Sequence, residues 1–264
     1  MRILAMGTGC LAMGTACLAA MLAGPALAAD AQPQHALADH AGDSDIRPFS
    51  SHYVAEWKDI SVGVSDLELR LDTQPGHYVY KWTTSARGIF RLVYSDDLVQ
   101  ESWFAIAGDH VKPDRYRGRQ GSASVNFDFD WNAGHATGTS EGKPIDLVLE
   151  PDTQDLNSIQ IQVMLDLKND NLPSTFHVID KDQIKGFLYA REGTAKLKTA
   201  IGTYDTVIVT SRHTANDRRV LRMWFAPGLG WVPVQAERTS SGKLEFAMRI
   251  RSLTREGERL TAPP

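Results

Sequence analysis

The sequence predicts a mainly β protein: an antiparallel sheet of hairpins and meanders, bent toward a barrel, with one helical insert. Three observations carry this reading. Apolar and polar residues alternate with period two over much of the chain after Pro48. Gly-containing turns punctuate these runs at short intervals, as at Pro75-Gly76, Gly108-Asp109, Glu192-Gly193, Pro227-Gly228 and Ser241-Gly242. No long helical stretches intervene, which argues against βαβ units and a parallel sheet.

Taken in order, residues 1–28 read as a secretory signal peptide. Arg2 supplies a positive n-region, Ile3 to Met21 is uncharged, and Pro25 breaks the segment before Ala26-Leu27-Ala28. The expected cleavage follows Ala28 and places the protein in the periplasm. A membrane anchor is disfavoured, because the run is short, rich in Gly and Ala, and lacks a basic stop-transfer cluster. A lipidated Cys17 is disfavoured too, since Gly14 stands where lipoprotein processing favours Leu. Residues 29–47 are polar, small and acidic without periodicity, and read as a disordered leader. A single β-rich domain is expected over 48–255, followed by a disordered tail at 256–264.

Within the domain, Tyr53, Ala55 and Trp57 alternate with polar partners, as do Leu67, Leu69 and Leu71. Tyr78, Tyr80 and Trp82 share a face, and Val125, Phe127, Phe129 and Trp131 form the cleanest strand, ended by Asn132-Ala133-Gly134. Later strands carry Val207 and Val209, then Leu221, Met223 and Phe225, then Val232, Val234 and Ala236, and finally Leu244, Phe246, Met248 and Ile250. The parity switch between Val62/Val64 and Leu67/Leu69 predicts a bulge at Ser65-Asp66. Asp152 to Leu167 fits helix and strand patterns alike. Pro151, the N-cap options Thr153 and Asp155, and its length predict a helix. A shorter helix is expected near Arg87 to Tyr94.

Composition narrows the function classes. Both cysteines, Cys10 and Cys17, fall in the signal segment, so the remaining 236 residues carry no disulfide, thiolate nucleophile or Cys-based metal site. Without Arg2 the chain has 27 basic residues against 32 acidic ones, a mixed balance near −5 that argues against nucleic-acid binding. No apolar run in the mature chain approaches a membrane span. Neither a metal nor a cofactor is expected: the histidines are scattered, and there is no HExxH and no phosphate-cradling Gly loop.

The motifs that remain are few. Gly138-x-Ser140-x-Gly142 matches the nucleophile-elbow spacing, but Pro144 and a new apolar alternation follow at once, which reads as a hairpin. No catalytic residue is assigned. Asp128 and Asp130 share a strand face and are a carboxylate pair of the kind glycan hydrolases or lyases use. Arg115, Arg117 and Arg119 share another face, suited to an anionic head group or to a solvent-facing strand. Tyr78, Tyr80, Trp82, Phe127, Phe129 and Trp131 would line an apolar cavity if their strands shared one interior, or pack as core.

The same residues resemble a family. Tyr53-x-x-x-Trp57, Val62-Gly63-Val64, Glu101-Ser102-x-Phe104, Pro113-x-x-Tyr116, Phe127-Asp128-Phe129-Asp130-Trp131 and Asp155-x-x-Ser158 occur in this order. Ile201-Gly202-Thr203-Tyr204-Asp205-Thr206-Val207, Leu221-x-x-Trp224-Phe225-Ala226-Pro227 and Trp231-Val232-Pro233-Val234 follow. From about Pro48 to Leu253 the chain resembles the bacterial domain-of-unknown-function family 3108 (DUF3108), whose members are exported envelope proteins. The resemblance implies an unclosed or partly closed β-barrel with a helical insert, akin to periplasmic lipoprotein carriers, and brings no catalytic residues. The expectation is a soluble, non-catalytic periplasmic protein that binds or carries a lipid or other amphipathic envelope component. Its cavity would be lined by the six aromatic residues, with Arg115, Arg117 and Arg119 at an anionic head. The alternatives are an envelope scaffold that binds another protein through a sheet edge, and a glycan-active hydrolase or lyase using Asp128 and Asp130.

Overall fold

The computed structural model describes residues 46–261. The expected signal peptide, nearly all of the expected leader and the last three residues lie outside them. One 15-stranded sheet forms the fold. Its first half comprises β1 (Phe49–Trp57), β2 (Ile60–Leu71), β3 (His77–Ala86), β4 (Leu98–Ala107), β5 (His110–Gln120), β6 (Ala123–Asp130), β7 (His135–Ser140) and β8 (Lys143–Val148). Helix α1 (Ser158–Lys168) then connects to β9 (Thr175–Asp180), β10 (Gln183–Thr199), β11 (Gly202–Arg212), β12 (Arg219–Ala226), β13 (Val232–Ser240), β14 (Lys243–Arg255) and β15 (Glu258–Thr261). All strand pairings are antiparallel.

Two meanders therefore meet where β1 pairs with β14, and the outer strands are β8 and β9. Hydrogen bonds do not close the sheet. The connection after β8 fills part of the seam instead: the Gln154 amide donates to the His177 carbonyl at 2.8 Å, and the Ile179 amide donates to the Gln154 carbonyl at 2.9 Å. Side chains complete the join. Fully buried Ile179 and half-buried Ile184 pack with Tyr116, Phe127, Phe129, Ala136 and Ile145 across the gap. This is the curved, unclosed barrel with one helix that the sequence and the resemblance predict.

The helix occupies the barrel interior. Every α1 residue except Gln160 and Lys168 is buried. Ile161, Met164 and Leu167 are among the largest fully buried side chains, and they share one core with residues from both meanders. A helix buried on nearly all sides, with Ser158, Gln162 and Asp166 buried beside its apolar residues, has no single apolar face, which is why its sequence lacks a clean 3.6-residue stripe and fits a strand pattern equally well.

Four expectations shift at the level of detail. The helix starts at Ser158 rather than near Asp152, because the preceding residues are used in the seam. The segment near Arg87 is a short 3-10 turn, Gly88–Leu92. The register shift in β2 falls between Ser61 and Gly63, opposite Glu56 and Ala55, and not at Ser65-Asp66. Ser65 faces inward with Leu67 and Leu69, its hydroxyl bonding that of Thr84 at 2.8 Å, so the change of parity from Val62 is real and is made a few residues before the expected position. Both margins of the domain are ordered further out than expected. Ile46 is buried, Arg47 pairs with Glu256 at 2.7 Å, and β15 pairs with β14 through Leu253 and Leu260.

Candidate functional site

The aromatic residues divide between two packed clusters. Tyr78 stacks on Phe104 with ring centroids 6.0 Å apart, and Tyr80 is fully buried against α1. Gln160 donates to the Tyr80 hydroxyl at 2.5 Å, Asn157 donates to its carbonyl at 3.3 Å, and burial pushes the phenol well above its ordinary pKa. Half-buried Trp82 donates to the Thr84 hydroxyl at 3.1 Å. These three belong to the main core. Phe127, Phe129 and Trp131 belong to the seam cluster, linked by ring contacts of 5.5 and 5.6 Å. The Trp131 indole donates to the Pro113 carbonyl at 2.7 Å. The two sets do not face one open hollow, because α1 fills the space inside the sheet.

The charged residues are equally occupied. Arg117 grips Asp128 through both carboxylate oxygens at 2.8 and 2.9 Å and also donates to the Phe127 carbonyl. Arg115 reaches the same carboxylate at 3.1 Å, while Arg119 stands exposed. Asp130 accepts from the amides of Asn132 and Ala133 and so holds the turn after β6. The two carboxylates thus have different surroundings: Asp128 is clamped by two guanidiniums, and Asp130 holds a turn. Ser140 lies in the β7–β8 hairpin, as its context predicts.

Below the aromatics lies a buried polar belt that anchors α1. Asp155 accepts from the Ser102 hydroxyl at 2.6 Å and from the amides of Asn157 and Ser158 at 2.8 and 2.9 Å. Burial raises its pKa to about 6 against the opposing pull of these hydrogen bonds. At Val111, where β5 runs past the end of its pairing with β6, Gln162 accepts from the amide at 2.7 Å and Gln154 donates to the carbonyl at 2.9 Å. The motif residues thus meet pairwise: Ser102 with Asp155, Pro113 with Trp131, and Tyr53 with the Pro233 carbonyl at 2.6 Å. They fasten helix to sheet and strand to strand.

An open cleft of about 600 Å³ lies at the barrel end where α1 terminates. Its lining is mixed: Leu260 and Trp231 are half-buried there over nearly buried Met164, Leu229 and Leu253, and Arg47, Lys168, Arg255, Glu256 and Glu258 make up much of the rest. One wall is the short 3-10 turn Pro227–Leu229. Gly230 and Trp231 follow it with φ of 68° and 64°. For a bulky residue such as Trp231 the left-handed region costs of order 1–3 kcal/mol, held here by its amide bond to the Ala226 carbonyl at 2.9 Å. Gly230 suits this left-handed backbone, and a Cβ there would lie 2.1 Å from an Arg255 guanidinium nitrogen, so the guanidinium would have to swing aside. The cleft's volume lies within the usual range for ligand sites.

None of the nine expected binding residues lines this cleft. Its walls draw on Ile46, Arg47 and residues 256–260, from segments that read as disordered margins. The motif residues Pro227 and Trp231 were the one signal pointing there. Among the described residues no cluster of three or more His, Cys, Asp or Glu side chains is placed to hold a metal, and no helix is long and apolar enough to cross a membrane.

The architecture is that of a barrel-like sheet wrapped around a helix, with one open end. The family model for DUF3108, a protein family of unknown function, matches residues 52–248, and the chain belongs to that family. Among solved structures it is similar to a β-barrel-like protein of the domain of unknown function DUF1849 from Brucella abortus. The TM-score is 0.54 at 10% identity, covering 80% of this chain and 98% of that one, a likeness of fold. The complex of MucA and MucB from Pseudomonas aeruginosa matches at a TM-score of 0.32 and 10% identity, covering 83% of this chain and 53% of that one. The chain thus spans about half the length of that match. A search of curated proteins finds no match.

Proposed function

We propose that this protein is a non-catalytic periplasmic binding module, exported by cleavage after Ala28, that holds an amphipathic envelope component in the end cleft. The single observation behind this reading is the cleft itself, an open hollow of mixed polar and apolar lining in a barrel whose interior α1 already fills. The apolar part of the ligand packs against Leu260 and Trp231, and its polar group meets Arg255. The protein holds its cargo at the mouth of the barrel, without enclosing it.

The test is native mass spectrometry of residues 29–264, a span that keeps every described residue, purified from envelope extract without detergent. A bound amphipath is expected, lost or weakened in Arg255→Glu and in Leu260→Trp, which narrows the cleft. Ligand-free protein that ignores added lipids, or cargo retained by both variants, overturns the reading.

A second reading rests on the outer edge of β8, which carries Val148 at 70% exposure. An envelope scaffold would add a partner strand there. Pro144 and Lys143 blunt that edge, which ranks it second. A partner protein captured by the wild type and lost on Val148→Asp, with no amphipath in the cleft, would favour the scaffold.

A further inference from the structure

The strands of this barrel have two ends, and the end opposite the cleft carries an apolar tip. β1 begins at the cleft end, opposite Arg255, and finishes at the far end, opposite Phe246. Nine residues of strand set these ends roughly 30 Å apart. At the far end the 3-10 turn Gly88–Leu92 links β3 to β4. Ile89, Leu92 and Val93 are 74%, 86% and 71% exposed, the three highest values among the large hydrophobic residues exposed on the described surface, Val148 at 70% coming next. In a 3-10 turn, residues three apart share a face, so Ile89 and Leu92 project together. Phe90 points the other way and packs on the main core, rooting the turn. A further bond from the Arg87 amide to the Val62 carbonyl at 2.9 Å ties the loop to the start of β2, where Ile60 is 54% exposed.

We propose that this tip is a bilayer-surface anchor, in which Ile89, Leu92 and Val93 insert into the interface of an envelope membrane. Three arguments favour lipid over a protein partner. The projecting side chains amount to a few hundred Å², well short of the roughly 800 Å² that each partner contributes to a stable protein interface. A bilayer sets no such threshold, because each inserted aliphatic group contributes independently. The collar also has interfacial chemistry. Half-buried Trp57 and Tyr94 flank the tip, and the Lys58 ammonium lies 4.9 Å from the Trp57 ring centroid.

The charges around the tip are mixed. Asp97 is paired with Arg91 and also feels the Arg119 charge, and Lys58 and Arg87 stand against Asp59 and Asp96, which leaves the collar only weakly charged. Aliphatic insertion, with no demand for anionic lipid, sets the affinity. The anchor stands independently of the cleft, since it uses the other end of the barrel.

The experiment is flotation of residues 29–264 with vesicles of phosphatidylethanolamine and phosphatidylglycerol, and with phosphatidylcholine alone. The protein is expected to float with both. Ile89→Asp combined with Leu92→Asp should cut partitioning by roughly tenfold or more, with an unchanged thermal transition because neither side chain is buried. Arg255→Glu should float like the wild type. Since residues 29–264 contain no cysteine, Val93→Cys accepts a single environment-sensitive dye, whose emission should shift to the blue on vesicles. Wild-type protein that stays unbound, a double variant that floats equally well, or a dye that responds to envelope proteins and not to lipid would each overturn the anchor.

Discussion

The two halves of the sheet treat their polar groups differently. Around β3 to β6 the prominent polar side chains are sealed: Asp155, Gln154 and Gln162 spend hydrogen bonds on fixing α1 and the β5 edge, and Asp128 is clamped by two arginines. Around the β12–β13 and β14–β15 turns the charges face an open cleft, and Trp231 and Gly230 hold left-handed conformations beside it. The first region builds the barrel; the second leaves it an accessible end. The interior is largely but not completely paired, since Gln154 Oε1, Asn157 Oδ1 and Asp166 Oδ2 are buried without a hydrogen-bond partner among the described residues.

The sharpest way to break this comparison is Asp155→Ala. It strands the Ser102 hydroxyl and two buried amides at the root of α1 and should cost about 3 kcal/mol or more, read from denaturant unfolding. If the loss is under about 1 kcal/mol, the belt is not what fastens the helix.

The same carboxyl gives a pH signature. Its pKa of about 6 in the fold exceeds the ordinary value near 3.9, so the native state binds more protons across that interval. Its contribution to stability is therefore greatest below about pH 4, falls as pH rises to about 6, and stays flat above. Asp155→Asn does not titrate, so its stability relative to wild type should climb by about 3 kcal/mol over this window and then level. A difference that is constant with pH would contradict the buried, raised carboxyl.

Gly230→Ala probes the other region. It should cost about 1–2 kcal/mol through the left-handed backbone, and it displaces Arg255, so the cleft's ligand should be lost out of proportion to stability. Full ligand retention would move the site elsewhere. Trp131→Phe keeps the ring packing and deletes the bond to the Pro113 carbonyl, for about 1 kcal/mol in thermal unfolding and no change in ligand binding. The smallest effect is expected from Arg115→Ala, an exposed partner of Asp128 that Arg117 also holds. Below about 1 kcal/mol and neutral for ligand is the expected result; a binding defect would restore the arginine face as a site.

Much of the fold was legible because alternation reports which side of a sheet is buried. Phe127 and Phe129 declared their strand, and Asn132-Ala133-Gly134 declared its end. The parity switch between Val62 and Leu67 did report a bulge in β2, but inward-facing Ser65 hid where it falls, since a buried polar residue leaves the inward row unmarked. The cleft was hardly legible at all. Arg47, Glu258 and Leu260 come from margins of ordinary polar composition and gain their meaning only when β15 folds back on β14.

Period-two patterning and turn residues, which are local properties, determined by themselves that this chain forms an antiparallel meander with a helix near residue 160. Only the tertiary structure decided that the helix goes inside. Burial on all sides erases the amphipathic stripe that would have placed it, and with the interior filled, the open surface is left at the two ends of the barrel.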